Sequence, residues 1–269
     1  MSSTVAKALS LLNHFTEDAP EIGLSDLARR AGVDKATVHR MLAVMADAGL
    51  VEQRGSARLY RLGAGVLRLA RVRETSFPVT SVYQPALEVL TALSGETAHA
   101  ALISGLALAT IGVCESNRGS RVSLVAGEIL PFHCTASGVV ALAFVGQDLR
   151  ERVLAGPLSK RTDHTVTDPG MLRERLEFAR NAGFAEGDQT YEDDVYGLAV
   201  PVFDTEGLAV GTLAVATPAH RMTADLRRTI IRALIAQAEK VTFDTGGKCP
   251  PAYTRATART LDALGGAAG

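Results

Sequence analysis

Leu24-Ser25-Asp26-Leu27-Ala28-Arg29-Arg30-Ala31-Gly32-Val33-Asp34-Lys35-Ala36-Thr37-Val38-His39-Arg40-Met41-Leu42 reads as two short amphipathic helices joined by three residues. In the first, Leu27, Ala28 and Ala31 share an inner face. Ser25 is placed to cap it, and Gly32 suits its left-handed C-terminal turn. In the second, Asp34 is the expected N-cap. Val38, Met41, Leu42 and Met45 form an apolar stripe, and Gly49 closes the helix. Two helices around a Gly-containing turn are a helix-turn-helix. The start of its second helix enters the major groove, while the first helix lies across the backbone. Lys35, Ala36, Thr37, His39 and Arg40 occupy the first two turns of that second helix. Arg and Lys bond guanine edges or phosphates, and Thr bonds a base or touches a thymine methyl. His39 reads as a surface or backbone contact, and Ser25 joins the candidates from the crossing helix.

Upstream, Val5, Ala8, Leu9, Leu12 and Phe15 recur at three- and four-residue steps, which predicts a helix with one buried face ended by Asp18-Ala19-Pro20. Downstream, Leu50 to Gln53 and Arg58 to Leu62 read as two strands around a turn at residues 54–57. A basic hairpin after a recognition helix is a wing, whose Arg54 and Arg58 would touch phosphate or the minor groove. A helical protein-interaction module with solvated charges is the competing reading, and the order of helix, helix-turn-helix and basic hairpin speaks against it. Residues 1–75 hold 11 Lys and Arg against 8 Asp and Glu, and the remainder 17 against 21. A modest basic head on an acidic body fits a DNA-facing module joined to something else.

At 269 residues the chain has room for one large or two smaller domains. Val66 to Arg73 reads as a linker helix interrupted by Ser76-Phe77-Pro78. The expected division is residues 1–63, 64–79, 80–243 and 244–269. From about residue 80, antiparallel hairpins alternate with helices, predicting one α+β sheet domain. The expected strands are 98–104, 106–114, 122–126, 199–203 and 209–216. The expected helices are 85–93, one running on from the small residues at 135–138, 149–154, 171–182 and 224–241. Residues 244–269 read as an irregular extension with a short helix near 254–264.

The head matches a known pattern through Val5-Ala6-Lys7-Ala8-Leu9, Leu24-Ser25-Asp26-Leu27-Ala28, Gly32-Val33, Lys35 to Leu42, Gly49-Leu50 and Tyr60-Arg61-Leu62-Gly63. The body matches it through Ser94-Gly95-Glu96-Thr97, Leu130 to Gly138, Ala182-Gly183-Phe184, Ala199-Val200-Pro201-Val202, and Pro218 with Arg221 after it. In order and spacing the chain resembles the IclR family of regulators almost from end to end. The resemblance implies a winged helix-turn-helix, a linker helix that helps the heads dimerise, and a GAF/PAS-like α+β domain that binds a small organic or aromatic acid. The implied partners are double-stranded operator DNA, a small-molecule effector, and a second copy in a homodimer or dimer of dimers. Pairing also doubles the contact of a head that reads only a short half-site.

A helix N-terminus offers unpaired amides and a positive dipole end, a natural place for a carboxylate. Thr135, Ala136, Ser137 and Gly138 provide one: the small residues admit a ligand to the backbone, and the hydroxyls add donors. Close helix–sheet packing, with Thr135 as a cap, is the alternative. By resemblance, an acidic residue after Gly183-Phe184 forms the second wall, either Asp188 or Glu186 if the register slips by two. Where the family usually has Cys, this chain has Gly197, which widens the pocket. Tyr196 beside it is placed to stack on an aromatic ligand. Glu192-Asp193-Asp194 reads as a solvated loop.

An enzyme built on His133 and Cys134 is the first rival, but adjacent residues do not face each other. His99, Cys114, His133 and Cys134 lack compact metal-ligand spacing. A ligand-independent DNA-binding protein is the second rival, and a net charge of −1 opposes it. No cofactor is expected. Three cysteines without CxxC spacing, no signal-peptide pattern and no long apolar run suggest a cytoplasmic protein with no membrane partner.

Overall fold

The computed structural model describes residues 4–16, 18–54, 58–76 and 79–265, with the backbone alone at 54, 73–76 and 79–80. The chain divides into two compact units, residues 1–78 and 79–269. The expected hairpin turn at 55–57 and the expected break at Phe77-Pro78 fall outside the described residues.

In the first unit α1 (Thr4–Ser10) passes into a 3-10 turn (Leu11–His14). There follow β1 (Ile22–Gly23), α2 (Leu24–Ala31), α3 (Lys35–Asp47), β2 (Val51–Arg54), β3 (Leu59–Leu62) and α4 (Ala64–Ser76). Leu11, Leu27, Val38 and Leu42 are fully buried and join Ile22, Met41, Met45, Val51 and Tyr60 in one core. The first helix stops at His14, earlier than the sequence suggests, and Thr16 and Ala19 exchange backbone hydrogen bonds in a tight bridge. Ser25 does not cap α2. The chain enters from β1, which pairs Ile22 with Tyr60, so the cap falls two residues earlier, on Gly23, without a side-chain cap bond. At the other end Gly32 turns left-handed (φ 63), and the Val33 amide donates to the Ala28 carbonyl at 3.2 Å. Asp34 caps α3 by accepting from the Thr37 amide at 2.9 Å. The Thr37 side chain first, and then this backbone bond, hold the Asp34 carboxyl below its usual pKa. The sheet runs β1-β3-β2, all antiparallel.

The second unit comprises α5 (Val79–Ser94), β4 (Thr97–Ser104), β5 (Ala107–Cys114), β6 (Ile129–Pro131), α6 (Ala136–Phe144), α7 (Gln147–Leu154), α8 (Pro169–Ala182), β7 (Ala185–Asp188), β8 (Val195–Phe203), β9 (Ala209–Pro218), α9 (Ala224–Asp244) and α10 (Pro251–Gly265). Its antiparallel sheet has the order β6-β5-β4-β9-β8-β7. Strand alternation sends Leu198, Val200, Leu213 and Val215 to one face, under α5 and α9. Ala101, Leu108, Ala199 and Ala214 go to the other, under α6 and α8. Small residues on that second face let α6 lie close. A Cβ at Gly138 would stand 2.5 Å from Phe132 Cα, so this position is fixed by packing. Glu96, fully buried, is held by Arg118 at 2.9 Å and by both arms of Arg221 at 2.9 and 2.7 Å. Arg221 therefore joins the end of β9 to the start of β4.

Three expectations need correction. The helix expected from Pro85 begins at Val79 and carries Pro85 inside it. An interior proline costs about 3 kcal/mol, the same order as burying one large side chain, and the earlier turn buries Tyr83. Residues 122–126 are not a strand: the apolar Val122 and Leu124 alternate with polar neighbours because they line a cavity. The tail is not an irregular extension. α10 packs on α8, and the fully buried Tyr253 meets Phe203 and Phe144 edge-on at 4.8 and 5.6 Å between ring centres.

Candidate functional site

Two surfaces have functional geometry, one in each unit. In the first, α3 buries Val38, Met41, Leu42 and Met45, which leaves Lys35, Ala36, His39 and Arg40 exposed on the opposite face. Arg40 leans back on Thr37, its guanidinium donating to the hydroxyl at 3.1 Å. Among the described residues Arg30, Lys35 and Arg40 form no ion pair. Arg29 is paired with Asp26 at 2.9 Å, and Arg61 with Glu52 and Glu21. Free cations at the head of a groove-reading helix can displace counterions from phosphates. Ser25 is exposed on α2 and Arg58 on the wing, where its backbone is left-handed (φ 52) and its carbonyl accepts from Gln53 at 2.8 Å. Arg54 ends β2, and its side chain lies outside the described residues.

The second site is a mostly apolar cavity of about 60 Å³ between the sheet and the N-terminus of α6. Gly187, Gly197, Ala214, Ala216 and His99 line its sheet side; Cys134, Thr135, Ala136 and Ser137 line its helix side. Thr135 caps α6 by accepting from the Gly138 amide at 2.8 Å. The amides of Ala136 and Ser137 donate to no group among the described residues, so the helix end offers two free donors. The segment 189–195 closes the rim. Thr162 donates to the Gln189 carbonyl at 2.6 Å, Thr165 to the Thr190 carbonyl at 2.8 Å, and Thr190 to the Cys134 carbonyl at 2.7 Å. Tyr191 donates to Glu128 at 3.3 Å, with Arg161 over its ring at 5.5 Å. Burial first, and then Glu128, pushes the Tyr191 hydroxyl up to about 12 and raises the Glu192 carboxyl.

Of the seven expected ligand contacts, Thr135, Ala136, Ser137 and Gly197 line the cavity. Gly138 does not; it faces Pro131 and Phe132. Asp188 and Tyr196 do not either. β7 and β8 alternate, so Gly187 and Gly197 face inward while their neighbours turn outward into an edge groove. There Tyr196 donates to Glu186 at 2.7 Å, and Arg227 pairs with Glu186 at 2.8 Å. That network also engages Glu186, the alternative acid. Sequence reasoning missed His99, Val122, Leu124, Tyr191 and Glu192. Only His99 left a trace, as a lone polar residue in the apolar run of β4.

His99 is 6% exposed and lines the cavity. Its Nδ1 has no partner among the described residues, and its Nε2 stands 3.4 Å from Ser137 Oγ. Burial lowers its pKa to about 4, so the ring is neutral near pH 7. The His133–Cys134 pair does not make a nucleophile. His133 Nε2 is engaged by the Ser159 carbonyl at 2.9 Å, and burial pushes the Cys134 thiol up to about 11. No group of three or more His, Cys, Asp or Glu side chains placed to hold a metal ion occurs among the described residues. Nor is any described helix long and apolar enough to cross a membrane.

Residues 4–55 match the IclR helix-turn-helix domain, and residues 74–243 the C-terminal domain of the bacterial transcriptional regulator IclR. A solved IclR-type transcriptional regulator of Silicibacter sp. is 43% identical, with a TM-score of 0.83 over 93% of this chain and 99% of its own. An IclR homolog of Microbacterium hydrocarbonoxydans, solved in complex with 4-hydroxybenzoate, is 28% identical, with a TM-score of 0.74 over 91% of this chain and 99% of its own. The HTH-type transcriptional regulator KdgR of Dickeya chrysanthemi is 27% identical over 91% of this chain and 80% of its own length.

Proposed function

This chain belongs to the IclR family of DNA-binding transcriptional regulators, and from that premise we propose that a small organic or aromatic acid, held in the cavity beneath α6, sets its affinity for operator DNA. The observation that carries this reading is the cavity itself, where a helix end with two free amides meets a buried, under-partnered histidine. The complex of the Microbacterium relative with an aromatic acid supports the ligand class. The operator contacts in this reading are Ser25, Lys35, Ala36, Thr37, His39, Arg40, Arg54 and Arg58. The ligand contacts are Thr135, Ala136, Ser137 and Gly197.

A ligand shifts an equilibrium only through differential affinity for its states. An acid that prefers one arrangement of the sensor domain therefore changes the population competent for DNA, and operator binding changes ligand affinity reciprocally. The regulator works as a homodimer or dimer of dimers in this reading. Leu67, Leu69 and Val72 on α4 and Val5 and Leu9 on α1 are exposed apolar side chains available for pairing the heads. Regulation is repression or activation according to which state the acid favours.

The test has two arms on the full-length protein. Footprinting on its own promoter region should show protection of two half-sites. A thermal-shift screen against organic, aromatic and sugar acids should then find a ligand that raises the melting temperature in proportion to its binding and changes operator affinity. Tight operator binding with no responsive acid would defeat the sensing half of the reading.

A further inference from the structure

We propose that the ligand of this cavity is a compact acid with one acidic group and an apolar body, and that His99 is the side chain that selects it. This rests on the reading of the cavity as the effector site. The polar groups gather at the α6 end: Ser137 Oγ, the free amides of Ala136 and Ser137, and the His99 ring. A buried imidazole with one nitrogen unpartnered and the other at 3.4 Å from a hydroxyl is under-satisfied, and buried polar groups are normally hydrogen-bonded. A carboxylate has acceptor sites for about four donors, enough to use this whole set, and the helix dipole favours its charge.

The rest of the wall sets the limits. Val122, Leu124, Leu130, Ala214 and Ala216 are apolar, and among the described residues no Lys or Arg lines the cavity. The titratable groups that share it with His99 are Cys134 from the α6 approach and Tyr191 and Glu192 from the rim, with Glu128 behind Tyr191. A second carboxylate on the ligand would meet alkyl groups or the Glu192 carboxyl. The hydroxyls of a sugar acid would lose water without gaining partners. On the sheet side Gly197 leaves room up to the Ala136 methyl, whereas the space over Gly187 is taken by Thr190 Oγ1.

Isothermal titration of the full-length protein with matched compounds tests this. Propanoate or butanoate, short enough for a cavity of about 60 Å³, should bind at least tenfold tighter than its own amide, than adipate and than gluconate. His99→Leu and Ser137→Ala should each weaken the acid at least tenfold, with His99→Gln losing less because it keeps a donor. Unliganded melting curves check that each variant folds. If His99→Leu does not fold, the acid–amide comparison on the unaltered protein decides alone. Tighter binding of adipate or gluconate, equal binding of acid and amide, or a folded His99→Leu within twofold of the unaltered protein overturns the proposal while leaving the sensor reading intact. Failure of every acid to bind removes the sensor reading itself, and this proposal with it.

Discussion

His99 Nε2 and Ser137 Oγ face each other at 3.4 Å, one from strand β4 and the other from the first turn of α6. The two layers of the second unit thus meet through polar atoms beside the cavity, at a separation too long for a strong hydrogen bond. The His99 Nδ1 on the same ring has no partner among the described residues.

The first prediction concerns pH. The His99 ring has a pKa of about 4 in the folded protein against an ordinary 6.5. Below 6.5 the unfolded chain takes up a proton that the native state refuses until about pH 4, so stability falls as pH drops through that window. At about 1.4 kcal/mol per pKa unit, the loss is on the order of 3 kcal/mol. Urea unfolding at pH 7 and pH 5 should show about 2 kcal/mol of this fall in the unliganded protein and a shallower one in His99→Gln. Equal pH slopes in the two proteins would mean that the buried ring stays solvated.

Gly197 should respond to bulk. A Cβ there would meet Ala136 Cβ at 3.4 Å, ordinary contact, so the fold tolerates a side chain that the cavity does not. Gly197→Val should keep operator binding in the absence of ligand and lose at least tenfold in acid affinity, measured by fluorescence anisotropy and calorimetry respectively. Unchanged acid affinity would place the ligand away from this wall.

Gly138 makes the opposite prediction. Alanine gains helix propensity, up to about 1 kcal/mol, but its Cβ would press on the backbone of Pro131 and Phe132. Overpacking of this kind costs about 1–3 kcal/mol, so Gly138→Ala should lower the urea midpoint despite the better helix former. A stabilised variant would show that the 131–132 segment yields easily.

Arg40 separates two roles. It is exposed on α3, without an ion pair, within the first two turns of the helix. Arg40→Ala should cost about 1–3 kcal/mol of operator affinity and relax sequence preference at one base position. A uniform loss across all DNA sequences, with a smaller salt slope, would make Arg40 a phosphate contact instead.

The helix-turn-helix was legible because its signals are local. Gly32, Asp34 and the 38-41-42-45 stripe act within one or two turns, and each does in the structure what its residue type implies. β1 was not legible: two residues, Ile22 and Gly23, have no period, and only pairing with Tyr60 and Leu59 makes them a strand. In the second unit, Thr135 to Ser137 were readable as a helix start. The opposite wall depended on strand phase. Gly187 and Gly197 line the cavity where Asp188 and Tyr196, one residue away in each strand, do not, and in a strand one residue is the other face. His99 and Glu192 reach the cavity through strand order and loop path, which are set by contacts distant in sequence.

The tail yields the last prediction. The matched family domain ends at residue 243, yet α10 supplies Tyr253, fully buried between Phe144 at the end of α6 and Phe203 at the end of β8. Its ring contributes as a large apolar group, so Tyr253→Ala should cost about 3–5 kcal/mol. The hydroxyl is another matter. It has no partner among the described residues, and burial pushes its pKa well above the ordinary value. An unpaired buried polar group costs about 1–3 kcal/mol, so Tyr253→Phe should leave the urea midpoint unchanged or raise it. If Tyr253→Phe destabilises the protein as much as a lost hydrogen bond would, the hydroxyl has a bound partner such as an ordered water. If Tyr253→Ala is nearly neutral, α10 is not part of the core. The pair of variants therefore separates the ring's packing from the hydroxyl's chemistry, and both read out whether this tail braces the far end of the helix whose first turn lines the cavity.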